Sequence, residues 1–414
     1  MVSGVLVVGL AVAVFVGFNI GGSSTGVAFG PAVGSKLVRK FTAGVLFSVF
    51  AFLGAWTVGR NVIDTMSKGI VPVTDFSPTA AVGVLFFTGL ALLVSNLYGV
   101  PASTSMTAVG AIVGLGLATG NLNRALMFTI VSAWIVAPLV GFAAGAVIGR
   151  YVYPRLESRL AFTRLDRHLV QLDRSGRIPR FRINSKASAR DVGGSFLVVA
   201  IACYMGFSAG ASNAANAVAP LIGEGSLGVD QGVVLAAAAI SLGGFTIARR
   251  TLATIGDGIT DLPILAALIV STVGATIITV LSYFGIPASL AVSTTCCIIG
   301  LGWGRASRVM SLADMADPTL EPTGGPSLSA DALAAASTSE DAPAGPTVGD
   351  LAEGKGPEDL PTAPDVPKIG DEDIEDLTAE ELFDPAATSR ILFLWVLTPT
   401  ISVVFSYVLF ALLL

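Results

Sequence analysis

Charge is scarce in this sequence: Asp, Glu, Lys and Arg make up 13% of 414 residues, and histidine occurs once, as His168. No Asp, Glu or His lies well inside any long apolar run, so the usual intramembrane proton relay is missing. Cysteine is almost absent too. Cys203, Cys296 and Cys297 all fall in apolar stretches, and the adjacent pair is poorly placed to bond to itself, which argues against disulfides and Cys-based metal sites. His168 stands in a charged loop, where a solvated side chain is the simple reading. No Lys or Arg precedes the first apolar run, so residues 1–20 lack the charged region of a cleaved signal peptide and read as a retained helix. No nucleophile paired with a base, P-loop or zinc pattern is visible, and an enzyme is not expected.

What is present is apolar surface. Hydrophobic residues reach 53% and the mean hydropathy is +0.77, far more than one soluble core could bury. Several uninterrupted apolar runs exceed the roughly 18 residues that signal a spanning helix, which predicts an all-α polytopic membrane protein rather than a barrel of alternating strands. Spans read as residues 2–20, 42–58, 80–99, 102–119 and 126–149, then 192–209, 231–247, 262–285, 287–303 and 389–414. The division expected is a first membrane repeat at 1–149, a basic loop at 150–191, the first four spans of a second repeat at 192–303, an acidic loop at 304–388 and a final helix at 389–414.

The repeat rests on two related motifs. FSAGASNAANAVAPLIG at 207–223 carries Ser208, Ser212, Asn213 and Asn216 between apolar runs, where polar groups cost several kcal/mol unless satisfied. GGSSTGVAFGPAVG at 21–34 matches it in register: Gly21 to Gly210, Ser23 to Ser212, Ala28 to Ala217, Pro31 to Pro220 and Gly34 to Gly223. GRNVIDTMSKGI at 59–70 likewise matches ARRTLATIGDGI at 248–259, and PASTSMTAVGAIVGLG at 101–116 matches PASLAVSTTCCIIGLG at 287–302. The motifs are short and rich in Gly, and each is expected to form a re-entrant loop or broken helix. Five spans per half is an odd number, so the halves are expected to be inverted. Loop charge agrees: 150–191 holds eleven Lys plus Arg against four acids, which places it in the cytoplasm and both termini outside. Inverted repeats with matched broken segments are the mark of a secondary transporter working by alternating access around a central site.

Residues 312–388 contain nineteen Asp plus Glu against Lys355 and Lys368, and read as a solvated acidic cytoplasmic loop. The basic loop could meet anionic lipid head groups, although the positive-inside bias already accounts for it. No nucleic-acid partner is expected; membrane lipid and a second copy of the chain, as a homodimer, are.

Small residues let backbone approach a ligand, and helix N-termini attract anions without any charged side chain. Ser103, Thr104 and Ser105 in one half and Ser289 in the other are neutral donors just after a Pro, with Ser293, Thr294 and Thr295 one to two turns further on. The motifs, together with GRNVIDT and PAST, resemble the inorganic phosphate transporter (PiT) family, whose duplicated signature reads GANDVANA with a PVSTT segment beyond it. The likeness covers nearly all of both halves and implies inverted repeats, extracellular termini, a large cytoplasmic loop and uptake of inorganic phosphate across the cell membrane, coupled to sodium or protons, with no cofactor.

Carried over, the family's first Asn falls on Ser23 and Ser212, its Asp on Ser24 and Asn213, and its second Asn on Val27 and Asn216. Sliding the first copy so that GFN matches GAN puts Asn19 on that Asn and Ile20 on the Asp. The substrate is thus expected at Ser23, Ser24, Thr25, Ser103, Thr104, Ser105, Ser212, Asn213, Asn216 and Ser289, and a coupling ion at Asn19, Ser24, Asn213, Ser293 and Thr294. Neither register recovers the carboxylate, the natural sodium ligand and acceptor for the proton of hydrogen phosphate. Sulfate and related oxyanions need only donors, so a permease for another tetrahedral oxyanion is the alternative, and a non-transporting membrane sensor of the same fold is a third reading.

Overall fold

The structure, a computed structural model, describes residues 4–35, 37–97, 103–159, 170–173, 180–183, 189–246, 264–307 and 385–413. The acidic stretch 308–384, the segment 248–259 and His168 lie outside the described residues.

Each motif is the second part of one long helix. Helix α1 runs Gly4–Gly34 and helix α8 runs Ala189–Gly223, each with its motif proline inside it. At 1.5 Å per residue their 31 and 35 residues extend about 46 and 52 Å, well beyond a hydrocarbon layer of about 30 Å. The re-entrant loop or broken helix expected at each motif is therefore corrected. The reason is that the glycines serve close packing. A Cβ on Gly21 would fall 1.8 Å from the Ile240 carbonyl oxygen, and one on Gly210 would fall 2.0 Å from that of Ala51. Small residues that let two backbones touch stabilise a helix pair more than the glycine costs the helix.

A break does occur, one element later. Helix α2 (Lys40–Trp56) meets α3 (Gly59–Asp64) and the π turn Thr65–Gly69 at a bend of 58°. The GRNVIDT stretch is thus helical. Then follow α4 (Pro78–Leu97), α5 (Thr104–Thr119) and α6 (Arg124–Val147), which passes through a π turn, Ile148–Val152, into α7 (Tyr153–Arg159). The basic loop holds two short strands, β1 (Val170–Asp173) and β2 (Arg180–Ile183), paired antiparallel with Val170 opposite Ile183; among the described residues these depart from the all-helical chain expected. The second half continues with α9 (Val229–Thr246), α10 (Ile264–Tyr283), α11 (Leu290–Ala306) and α12 (Pro385–Leu413).

Six described helices are long and apolar enough to cross a membrane, seven with the bent pair counted as one span, against the ten spans expected. Part of the shortfall lies in α5 and α11, whose 16 and 17 residues reach only about 25 Å, each starting at its capping serine, Ser103 or Ser289.

The two halves exchange contacts reciprocally. Helix α1 packs on α9 as α8 packs on α2, and α6 packs on α11 as α12 packs on α5. The glycine contacts repeat at matched positions: Gly54 lies on the Phe207 carbonyl and Gly243 on that of Phe18. Ser402 and Ser406 of α12 donate to Thr107 O at 2.9 Å and Ala111 O at 2.6 Å. Where α6 meets the counterparts of those carbonyls, on Ser293 and Cys297, it brings Gly141 and Gly145. The same approach is held by hydroxyls on one side and by bare backbone on the other.

Candidate functional site

Two helix N-termini converge on the second motif. Ser103 caps α5, its Oγ accepting from Met106 N at 3.3 Å, and Ser289 caps α11 in the same way, accepting from Val292 N at 3.3 Å. Met106 and Val292, one in each first turn, pack on each other with Trp134 and Cys296 alongside, so the two helix beginnings are neighbours. Their first-turn N–H groups have no intrahelical partners.

Helix α8 runs past this junction and is bonded to both sides of it. Asn216 Nδ2 donates to Ser105 Oγ at 3.2 Å and to Asn213 Oδ1 at 3.1 Å. Ser105 Oγ lies 3.3 Å from Ser212 Oγ, and Ser212 Oγ donates to Ala288 O, the carbonyl just before the α11 cap, at 2.7 Å. With the Ser212 proton committed to Ala288, the hydroxyl proton between the two serines belongs to Ser105. The direction of the chain follows: Asn216 to Ser105 to Ser212 to the Ala288 carbonyl. Ser105, Ser212 and Asn216 are each 1% exposed, and Asn213 is buried beside them. Asn216 Oδ1 and Ser293 Oγ are buried with no hydrogen-bond partner, where an unsatisfied acceptor or hydroxyl costs about 1–3 kcal/mol. Polar groups left over beside two helix N-termini are what a polar ligand would satisfy.

The first motif is built otherwise. Ser23, which is exposed, donates to the Asn19 and Ile20 carbonyls, and buried Thr25 donates to Gly21 O at 2.7 Å. These are bonds within α1, the usual resort of hydroxyls in membrane helices. Thr25 is packed under Gly244 of α9, and Asn19 donates from Nδ2 to Phe15 O at 2.9 Å. Ser24 is half-buried on the same helix, and Thr104 is half-buried as the first residue of α5. Thr294 also bonds to its own helix, at Leu290 O and Ala291 O, with its methyl against Gly274 of α10. Of the residues singled out in the sequence, the structure thus joins Ser105, Ser212, Asn213 and Asn216, with Ser103 and Ser289 capping the helices they adjoin.

Three further donors surround this set: Ser208, already noted in the second motif, and two that sequence reasoning missed, Trp134 and Asn61. Ser208 donates to Ala275 O at 3.1 Å, Trp134 Nε1 to Pro287 O at 2.7 Å and Asn61 Nδ2 to Tyr283 O at 2.7 Å. A signal for one was available, since Trp134 and Pro138 share their spacing with Trp395 and Pro399 near the end of the other half.

The arrangement offers neutral donors and two helix ends with positive partial charge, which suits an anion. Among the described residues no group of three or more His, Cys, Asp or Glu could hold a metal ion.

Residues 20–320 match the model of the phosphate transporter family. The chain is 32% identical over 292 residues to a sulfate permease of Bacillus subtilis (strain 168), covering 70% of this chain and 75% of that protein. It is 25% identical over 367 residues to a putative phosphate permease of Haemophilus influenzae, covering 72% and 87%. A solved structure described as the sodium-dependent phosphate transporter superposes with a TM-score of 0.59 at 21% identity, over 76% of this chain and 93% of the other, which shows a shared fold.

Proposed function

Because this chain belongs to the phosphate transporter family, we propose that it takes up inorganic phosphate across the cell membrane as a cation-coupled secondary transporter. It is a multi-pass membrane protein, and its family and structural neighbour are transporters, not enzymes. The observation that carries the substrate reading is the hydrogen-bonded chain from Asn216 through Ser105 and Ser212 to Ala288 O, set where the N-termini of α5 and α11 meet. An oxyanion there would be held by first-turn N–H donors and by the unpartnered Ser293 hydroxyl, beside the chain that fixes the two helix ends. The spare acceptor, Asn216 Oδ1, would accept a hydrogen bond from the hydroxyl of hydrogen phosphate or face a coupling cation.

Transport by alternating access is supported by the reciprocal contacts: α1 with α9 against α8 with α2, and α6 with α11 against α12 with α5, pair the halves as inverted repeats of five spans would. Both termini then lie outside, the basic and acidic loops lie inside, and membrane lipid and a second copy of the chain are the remaining partners. A cysteine at exposed Lys68 should then react with an impermeant thiol reagent from outside; protection there would reverse the topology.

Sulfate is the second reading, and two observations favour it. No carboxylate stands among the joined residues, and the relative at 32% identity is named a sulfate permease. Proteoliposomes loaded by [32P]phosphate or [35S]sulfate, with and without sodium and proton gradients, decide between them. Phosphate uptake stimulated by a cation gradient is the expected result. Uptake of sulfate alone would install the second reading, and uptake of neither would leave the sensor.

A further inference from the structure

The turn at 284–289, which leads from α10 into α11, is held, together with the last residue of α10, by three donors on three different elements. Asn61 of α3 reaches Tyr283 O, Trp134 of α6 reaches Pro287 O and Ser212 of α8 reaches Ala288 O, each at 2.7 Å. Within the turn Gly285 takes the left-handed φ of 72°, and a Cβ there would come within 3.0 Å of Asn61 O and 2.7 Å of Thr65 Oγ1, so the bent end of α3 also fits the turn sterically. The Trp134 ring packs against the Met106 and Val292 pair while its N–H holds Pro287, so one side chain joins the meeting of the two helix beginnings to the turn.

We propose that Trp134 and Asn61 are positioning residues for the oxyanion site: they fix the turn so that the N-terminus of α11 stays against Ser105, Ser212 and Asn216. This rests on the oxyanion reading above. Neither side chain is part of the joined polar set, and both belong to the first half while the turn belongs to the second. The placing of a helix end from the second half is thereby made to depend on two donors from the first. A site built from helix ends depends on orientation more than on any one side chain, because first-turn N–H groups bind only where they point.

The test uses the full-length protein in proteoliposomes and measures KM and Vmax per reconstituted molecule for whichever oxyanion, phosphate or sulfate, the parent carries. Trp134→Phe keeps a ring against Met106 and Val292 and removes the donor; Asn61→Ala removes an exposed amide that no packing requires. Losing the indole hydrogen bond is expected to raise KM about tenfold, and losing the exposed amide bond about threefold, with Vmax within twofold of the parent. Since both act on one turn, the double variant should raise KM by less than the product of the two. Parental KM in both single variants, or a fall in the amount of folded protein with KM unmoved, overturns the proposal. If Trp134→Phe fails to reconstitute, Asn61→Ala decides alone by the same criterion. A parent that carries neither anion overturns the oxyanion reading itself, an outcome separate from unaltered variants beside an active parent.

Discussion

The two copies of the motif pack alike and bond differently. Gly21 and Gly210 bring their helices against a carbonyl of the opposite half at nearly the same closeness, as do Gly54 and Gly243. Yet Ser23 and Thr25 of the first copy spend their hydroxyls on their own helix, whereas Ser212 and Asn216 of the second reach Ala288 and Ser105. The glycines answer to a packing problem that both halves share. The polar positions differ in reach, because an amide at 216 bonds across to Ser105 of α5 in the other half, where Val27, its counterpart, has nothing to offer.

The packing side of this comparison should give the largest effects. Gly21→Leu and Gly210→Leu each force a side chain into a backbone contact, and each should destabilise the protein by about 3 kcal/mol or more, read as a fall in unfolding temperature in detergent. Tolerance at one glycine alone would break the equivalence. Next comes the chemistry: Asn216→Ala should raise the KM for the oxyanion roughly tenfold by removing the amide that holds Ser105 and Asn213 in place, while Ser23→Ala and Val27→Ala stay within about twofold. An equal effect in both copies, measured by initial uptake rates, would show that the first copy also contributes to the site.

Asn213→Asp sharpens the contrast, since it restores the carboxylate the family pattern carries there. Sodium stimulation of uptake and the preference for phosphate over sulfate should both rise severalfold; an unchanged ratio would place Asn213 away from ligand and ion. The smallest effect is expected outside both copies. Deleting residues 318–384 should leave uptake within a few-fold, and abolished uptake by a protein still reaching the membrane would make the acidic stretch part of the mechanism.

Much of this was legible because it follows from composition and register. Apolar run length gives the helices, and matched glycines and prolines give the two halves. The motif itself was misread as a break, since Gly and Ser in an apolar run signal either a loop or a tight helix contact, and only a neighbour distinguishes them. Here Ala51 and Ile240 are those neighbours. The bend fell instead between Trp56 and Gly59, with Asn61 turned toward Tyr283. Trp134 went unnoticed because an aromatic in a membrane helix ordinarily reads as packing or an interfacial anchor, and its donor role exists only once Pro287 is beside it.

By itself the sequence determined that this chain is a helical membrane protein with neutral polar residues set among its apolar runs, because hydrophobicity and residue identity are local properties that no partner can alter. Which of those polar residues act together was decided by the tertiary structure. Ser105 and Asn216 stand more than a hundred positions apart, and a hydroxyl bonds to its own helix or to another according to what lies within reach. Only the packing of α8 across the beginnings of α5 and α11 put a second helix within reach of Ser212 and Asn216.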